Sequence, residues 1–335
     1  MWFILDILFY ILCFTTFYVS THTITHIILH ASTCLAVFTR WGARDCPAGT
    51  SMLFEGIAAG ANSRHPGSGA NALCLHGNNF QGNTLPGSGT NNNDGGLLYG
   101  TEYQNTGSID KNNDRDAACA VCQVDTPGEV YTQWGRAFGC SDGHITMYNG
   151  YVMSSHYSHQ RSEFVCVDRA REYHERQSNR DDNGQVWYTV ETEGGSMDEY
   201  LYPQNKEVGC SVCHAPRTVY TRWGSKSCAK GSTLMYEGIA AGSMYYHSGG
   251  GHNNVCLHNV PQTPLGWGGD NNGGLLYGVE YQNTGIIDKN HDKDAACAVC
   301  MSDVEGHAYV QWGRSKSCSN NHVKLYSGFV MSERY

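Results

Sequence analysis

Twelve cysteines fall into three sets of four. Each set opens shortly after a Trp-Gly and closes in Cys-x-x-Cys: Cys46, Cys74, Cys119 and Cys122; Cys140, Cys166, Cys210 and Cys213; Cys228, Cys256, Cys297 and Cys300. A fourth set begins at Cys318, and no cysteine follows it. Thiols at this spacing support three kinds of chemistry. Two Cys-x-x-Cys pairs can supply a tetrahedral zinc site. One pair can shuttle a disulfide, normally from the start of a helix that follows a strand. An even set can close on itself as structural bridges. Zinc is disfavoured because knuckle turns usually carry Gly or a basic residue after the second Cys, whereas Cys119-Ala-Val-Cys122 and Cys210-Ser-Val-Cys213 look like strand ends. Each pair also travels with two upstream cysteines at long, loosely kept spacing, which a bridge tolerates better than a metal site. Redox shuttling is disfavoured because no helical pattern follows the motif. We read the cysteines as bridges; four cysteines per set leave three pairings open.

The cysteines ride on a repeat. Trp41, Trp134, Trp223 and Trp312 recur at intervals of 93, 89 and 89 residues. A Gly stands ten residues after each first cysteine, at Gly56, Gly150, Gly238 and Gly328. Units one and three share Glu55-Gly-Ile-Ala-Ala-Gly60 with Glu237-Gly-Ile-Ala-Ala-Gly242, and Gly95-Gly-Leu-Leu-Tyr-Gly100 with Gly273-Gly-Leu-Leu-Tyr-Gly278. Units two and four share Gly-x-Val-Met-Ser from Gly150 and from Gly328. The true module is therefore a pair, A then B. An interval near 90 residues is too long for a solenoid turn and long enough for a small globular half. The expected organisation is a leader over 1–33, half A over 36–124, half B over 129–214, a second half A over 218–302, and a truncated half B over 307–335. The truncation reads as a fragment, leaving Cys318 unpaired and apolar surface exposed around it.

Strand-forming runs with apolar and polar residues in alternation recur between Gly, Asn and Pro clusters. Val37–Trp41, Val130–Trp134, Val186–Val190 and Ala308–Trp312 are examples. Loops such as Pro86–Gly96 are rich in residues that accept positive φ. Helical periodicity is absent, so the expected class is all-β and hairpin-rich. The net charge of −9 with no basic stripe excludes nucleic acid. The apolar run from Trp2 to Val19 reads as a signal peptide, with a membrane anchor as the rival if it stays uncleaved. Bridged cysteines and a leader together predict a secreted, extracellular protein. No Asn-x-Ser/Thr sequon occurs.

Two further constellations carry candidate chemistry. Asp110, Asn112, Asp114 and Asp116 alternate, and Asp288, Asn290, Asp292 and Asp294 repeat the pattern. Alternating oxygen ligands in a turn can wrap calcium, although the Gly and terminal Glu of an EF-hand loop are missing; the plainer reading is a solvated polar loop. His65 with His247, and His76 with His258, recur at matching positions. They suit a metal or sugar site less well than simple inheritance of the repeat. The Arg of Trp134-Gly-Arg136 and Trp312-Gly-Arg314 is placed to stack on the indole, and we expect that element to be structural. No nucleophile–base motif and no phosphate-cradling loop is present, so no catalytic residue is assigned and the chain is not expected to be an enzyme.

Several longer strings carry a resemblance. Thr-x-Trp-Gly, Cys-Leu, Tyr99-Gly-Thr-Glu-Tyr-Gln104 and Cys119-Ala-Val-Cys122, with Gly150–Tyr157, Phe164–Asp168 and Tyr202–Asn205 of half B, closely resemble the carboxy-terminal domain of invertebrate short-chain, spongin-like collagens. The match runs from residue 37 to 335. More distantly, that domain is similar to the non-collagenous domain ending type IV collagen chains, whose tandem halves begin near Cys-Pro-x-Gly, as at Cys46–Gly49. The resemblance implies tandem disulfide-stapled, hairpin-rich halves that interlock. It also implies nested bridges: Cys46–Cys122, Cys74–Cys119, Cys140–Cys213, Cys166–Cys210, Cys228–Cys300 and Cys256–Cys297. It implies assembly of chains as well, yet no Gly-x-y tract is present. We therefore read a collagen-terminal-like repeat protein of the extracellular matrix. It would work structurally, by association with other matrix proteins or with itself. The second reading is a secreted, lectin-like module that binds glycans with the help of calcium.

Overall fold

The computed structural model describes residues 35–77, 96–104, 112–141, 143–174, 183–264, 273–282, 284, 290–320 and 322–333. The leader lies outside them. Among the described residues the protein is all-β, with sixteen strands and no helix. The first half holds β1 (Val37–Trp41), β2 (Thr50–Gly60), β3 (Leu73–His76), β4 (Tyr99–Tyr103) and β5 (Ala118–Val124). The second holds β6 (Glu129–Trp134), β7 (Ile145–Ser154), β8 (Val165–Asp168), β9 (Gln185–Thr192), β10 (Lys206–Glu207) and β11 (Gly209–Ala215). The third holds β12 (Val219–Trp223), β13 (Ser232–Gly242), β14 (Val255–His258), β15 (Gly274–Gly278) and β16 (Ala296–Ser302).

Each half is built around its last long strand. β5 pairs antiparallel with β1 on one side and β2 on the other. β11 sits likewise between β6 and β7, and β16 between β12 and β13. The Cys-x-x-Cys pairs lie inside these central strands rather than at strand ends, and all six of their cysteines are fully buried. Each central strand is bridged twice. Cys46–Cys122, Cys140–Cys213 and Cys228–Cys300 tie it to the loop before the second strand. Cys74–Cys119, Cys166–Cys210 and Cys256–Cys297 tie it to the short third strand. Closing a loop of 76 residues, as Cys46–Cys122 does, removes about 4 kcal/mol of unfolded-chain entropy. Six such bridges form and persist where thiols are oxidised, which puts the protein in an extracellular or secretory environment.

Two recurring glycines have geometric causes. The Gly of Trp-Gly adopts positive φ at Gly42, Gly135, Gly224 and Gly313, a region closed to most side chains. It ends the first strand and turns the chain toward the first cysteine. The Gly ten residues after that cysteine lies under the third strand. A Cβ at Gly56, Gly150 or Gly238 would collide with the carbonyl oxygen of Leu75, Val167 or Leu257, one residue past the bridged cysteine.

The bridges stay within halves, but the cores do not. One apolar cluster joins Tyr148, Phe164 and Val190 of the second half to Val255, Leu257 and Leu276 of the third. Another joins Ala58 and Tyr103 of the first half to Tyr151, Met153 and Trp187 of the second, with Trp41 edge-on to Trp187 at 5.6 Å. The described residues from 307 onward contribute no strand, which corrects the expectation at Ala308–Trp312. Its counterpart β6 is a strand because β11 satisfies its backbone groups; no described residue pairs with Ala308–Trp312. Cys318 is a free thiol. Val330 and Met331 are 73% and 56% exposed, against 1% and 0% for their counterparts Val152 and Met153.

This geometry separates two glycines that the repeat treats alike. Gly150→Ala should lower stability by about 3 kcal/mol, through overpacking against the Val167 carbonyl. Gly328→Ala, with nothing near the added methyl, should stay within about 0.5 kcal/mol. Denaturant titration of the two variants checks both.

Candidate interaction surfaces at the seams between halves

Two seams join the three halves, and they are built alike. In each, the Trp of one half pairs in parallel with the residue after the second cysteine of the next: Trp41 with Val167, and Trp134 with Leu257. The following Gly carbonyl accepts a backbone N–H from six residues past that cysteine. Glu172 donates to Gly42 at 2.7 Å, and Gln262 donates to Gly135 at 2.8 Å. A second parallel contact runs deeper, between β4 and β9 at the first seam and between β9 and β15 at the second.

The polar groups at the two seams differ. At the first, the Arg40 guanidinium donates to the Asp168 carboxylate from Nε at 2.8 Å and lies 2.7 Å from it through Nη2; Asp45 accepts from Nη1 at 2.6 Å. The Arg40 and Asp168 side chains are 16% and 6% exposed, so the pair is largely desolvated. At the second seam the same two positions hold Gln133 and His258. Gln133 Nε2 donates to Ser141 Oγ at 3.1 Å, and Ser141 Oγ lies 3.5 Å from His258 Nε2. His258 Nδ1 accepts the Val260 N–H at 2.8 Å, which assigns the ring proton to Nε2 and aims it at Ser141. His258 stacks on Tyr236, centroids 4.6 Å apart, and its carbonyl accepts the Tyr202 hydroxyl at 2.6 Å. Burial pushes the Tyr202 and Tyr236 hydroxyls far above the usual tyrosine range.

One loop of half B, residues 155–164, holds all three halves together. It reaches the first half through Gln160 N–H to the Ser63 carbonyl, and through the Ala72 N–H, which donates to Glu163. It reaches the third through Ser162 N–H to Gly250, Tyr157 N–H to Gly273, and Phe164 N–H to the Asn253 side chain at 2.7 Å. Arg161 donates to the carbonyls of Met244 and His247. Around the loop, His156, His159 and Tyr188 contact one another, and His247 lies against Tyr157, Tyr246 and Tyr277. Burial, with His156 and Arg64 nearby, lowers the pKa of His159; burial and Arg161 lower that of His247. Burial lifts Tyr277 to about 12, helped by Glu193.

The other sequence candidates fall as follows. Asp110 and Asp288 lie outside the described residues. Asn112, Asp114 and Asp116 form the turn after β4: Arg115 N–H donates to the Asn112 carbonyl, and Asp114 takes positive φ. The Asp114 carboxylate accepts from Gln104 at 2.8 Å, the Asn112 amide donates to the Arg171 carbonyl, and Asp116 bridges to Glu102. Asn290, Asp292 and Asp294 repeat this turn, with Gln282 donating to Asp292 at 2.9 Å and Asp294 bridging to Glu280. Among the described residues, no three His, Cys, Asp or Glu converge as a metal site would require. His65 packs edge-on to Tyr99, and His76 stacks on Phe54. Arg136 points to the Val260 carbonyl, and Arg314 donates to Ser317. Sequence reasoning missed both Arg40–Asp168, which are 128 residues apart, and the 155–164 loop. The Asp or His that ends the second-cysteine strand was their one visible trace.

Two measurements test the seams. Asp168→Asn should cost about 3 kcal/mol, because it leaves a largely desolvated guanidinium with only the exposed Asp45 carboxylate as its ionic partner, whereas Arg40→Met with Asp168→Leu should recover most of the loss. Thermal melts should show stability level above pH 7.5 and falling as pH drops below 6.5. The unfolded histidines bind protons there while folded His159 and His247 still resist them. His159→Phe with His247→Phe should flatten that slope.

No protein-family model and no curated protein matches this chain.

Proposed function

We propose that this is a structural protein of the extracellular matrix, acting by protein–protein association through its disulfide-bonded halves. The observation that carries this reading is the repeated seam. The same parallel contact, the same Gly carbonyl and a polar pair at the same two positions join A to B and B to A. A unit that docks the next unit twice within one chain has the surface needed to dock other chains. The resemblance of its strings to the terminal domain of short-chain collagens supports the same role.

The reading includes no catalytic step. Among the described residues, Ser158 Oγ lies 2.8 Å from His156 Nδ1 within one exposed turn, and Ser141 Oγ lies 3.5 Å from His258 Nε2. With Nδ1 accepting the Val260 N–H, the nitrogen facing Ser141 holds a proton and is not available to remove one. A second reading rests on Tyr245 and Tyr246. They are 77% and 65% exposed, with rings perpendicular to one another and centroids 5.1 Å apart, so each presents a separate aromatic face on which a sugar ring can stack.

Protein secreted from an oxidising host is the material for the test. Chemical cross-linking in an extracellular matrix preparation should join it to matrix proteins or to itself, with cross-links on the edges of the halves. Reproducible sugar binding on a glycan array, lost in Tyr245→Ser with Tyr246→Ser, would move the assignment to the lectin reading.

A further inference from the structure

Tyr200 is the most exposed tyrosine among the described residues, at 92%. The chain around it is held. Met197 and Tyr202 are buried in the cluster that crosses the second seam, and Leu201 packs against that cluster. The Tyr202 hydroxyl donates to the His258 carbonyl, and Ser196 Oγ accepts the Gly278 N–H at 3.0 Å. The Asp198 carbonyl accepts the N–H of both Leu201 and Tyr202, at 3.0 and 2.9 Å, so the chain turns at Glu199 and Tyr200. A turn pinned on both sides thus projects one phenol ring into solvent.

Two carboxylates stand directly before that ring. Asp198 Oδ1 accepts the Tyr200 N–H at 2.9 Å, and Glu199 Oε1 accepts the Gly195 N–H at 3.0 Å. Both residues are exposed, and the nearest cation along the chain is Lys206, six positions on. The other described tyrosines each lack one of these conditions. Tyr245 and Tyr246 are exposed, but the closest acid before them is Glu237; before Tyr309 it is Glu305. Tyr103, Tyr173 and Tyr281 each follow a Glu directly, and all three are buried or half-buried.

A lone exposed tyrosine is ordinary. This one adds an accessible hydroxyl to paired carboxylates, in a chain whose six bridges mark an oxidising, secretory route. A transferase site lined by cations selects such a tyrosine through charge complementarity.

We propose that Tyr200 is a site of O-sulfation. The phenol oxygen attacks the sulfur of a nucleotide phosphosulfate donor. The new O–S bond forms as the bond from sulfur to the phosphate oxygen breaks, the nucleotide leaves with that electron pair, and the phenol proton passes to a base of the transferase. Nothing is oxidised or reduced. The ester adds one fixed negative charge to a chain of net charge −9. It would stand on half B whether or not the chain joins other matrix proteins.

The test uses the full disulfide-bonded chain, secreted by animal cells fed radiolabelled sulfate together with a control protein known to be labelled on tyrosine. Peptide mapping should place a single sulfate on the peptide that holds Tyr200. Tyr200→Phe should abolish the label, and Tyr245→Phe with Tyr246→Phe should leave it unchanged. Asp198→Asn with Glu199→Gln keeps an oxygen acceptor for each of the two backbone N–H groups and removes both charges. That variant should lose at least about tenfold of the label, the lower end of what charge steering gives a complementary site. Unlabelled chain beside labelled control overturns the proposal. So does sulfate found on a glycan or on another tyrosine, or label that the charge-removing variant keeps in full. None of these three outcomes touches the association reading, which the cross-linking experiment decides.

Discussion

The rest of the structure depends on a central strand held on every side. β5, β11 and β16 each carry two buried half-cystines, hydrogen-bond to a neighbour along both edges, and sit close to a second strand whose Gly leaves room for a crossing carbonyl. Loops this rich in Gly and Asn lose much conformational entropy on folding, and apolar packing does not carry that cost alone. Covalent closure lowers the entropy of the unfolded chain instead and lets a half near 90 residues hold one shape. The dependence on oxidation follows directly, and with it the compartment.

From that strand outward, the halves become a continuous body because their cores are shared. Trp41 and Trp187 meet across the first seam, and Leu257 and Leu276 pack with Tyr148 and Phe164 across the second. Apolar burial at such contacts is non-directional and supplies affinity. The polar pairs supply the choice of partner, since a misplaced buried charge costs far more than a correct pair contributes. An Arg facing a His-ended strand, or an Asp facing the Gln–Ser pair, would be stranded in that way. The alternation of A and B in sequence thus has a physical counterpart in the alternation of ionic and neutral seams.

The 155–164 loop adds a condition on this arrangement. It packs histidines with lowered pKa values beside Arg64 and Arg161 at the point where all three halves meet. Near neutral pH the rings are uncharged and pack as aromatic surface. Acid conditions put additional positive charge beside the two arginines, so the junction is firmest in the neutral, oxidising surroundings that the bridges also favour.

Much of this was legible in the residues. The strands at Val37–Trp41, Val130–Trp134 and Val186–Val190 followed from alternation and β-branched content, and the all-β class from the lack of helical period. The Trp-Gly turn was legible as a motif because only Gly accepts its φ. Ala308–Trp312 has the same composition and is not a strand, because a strand exists only where a neighbour takes its hydrogen bonds. The alternating Asp and Asn residues near 112 and 290 read as oxygen ligands, and their described members are the turn beside β4 and its repeat.

By itself, the chain's order of residues determined local shape, the repeat and the need for an oxidising compartment, since these depend on near neighbours and on counts of cysteine. Only the tertiary structure decided which of three pairings each set of thiols makes, that Arg40 meets Asp168 while Gln133 reaches His258 through Ser141, and that the cores cross the boundaries of the halves. Those contacts join residues tens to more than a hundred positions apart, and their selection comes from the shape and charge of surfaces that do not exist until the halves have folded.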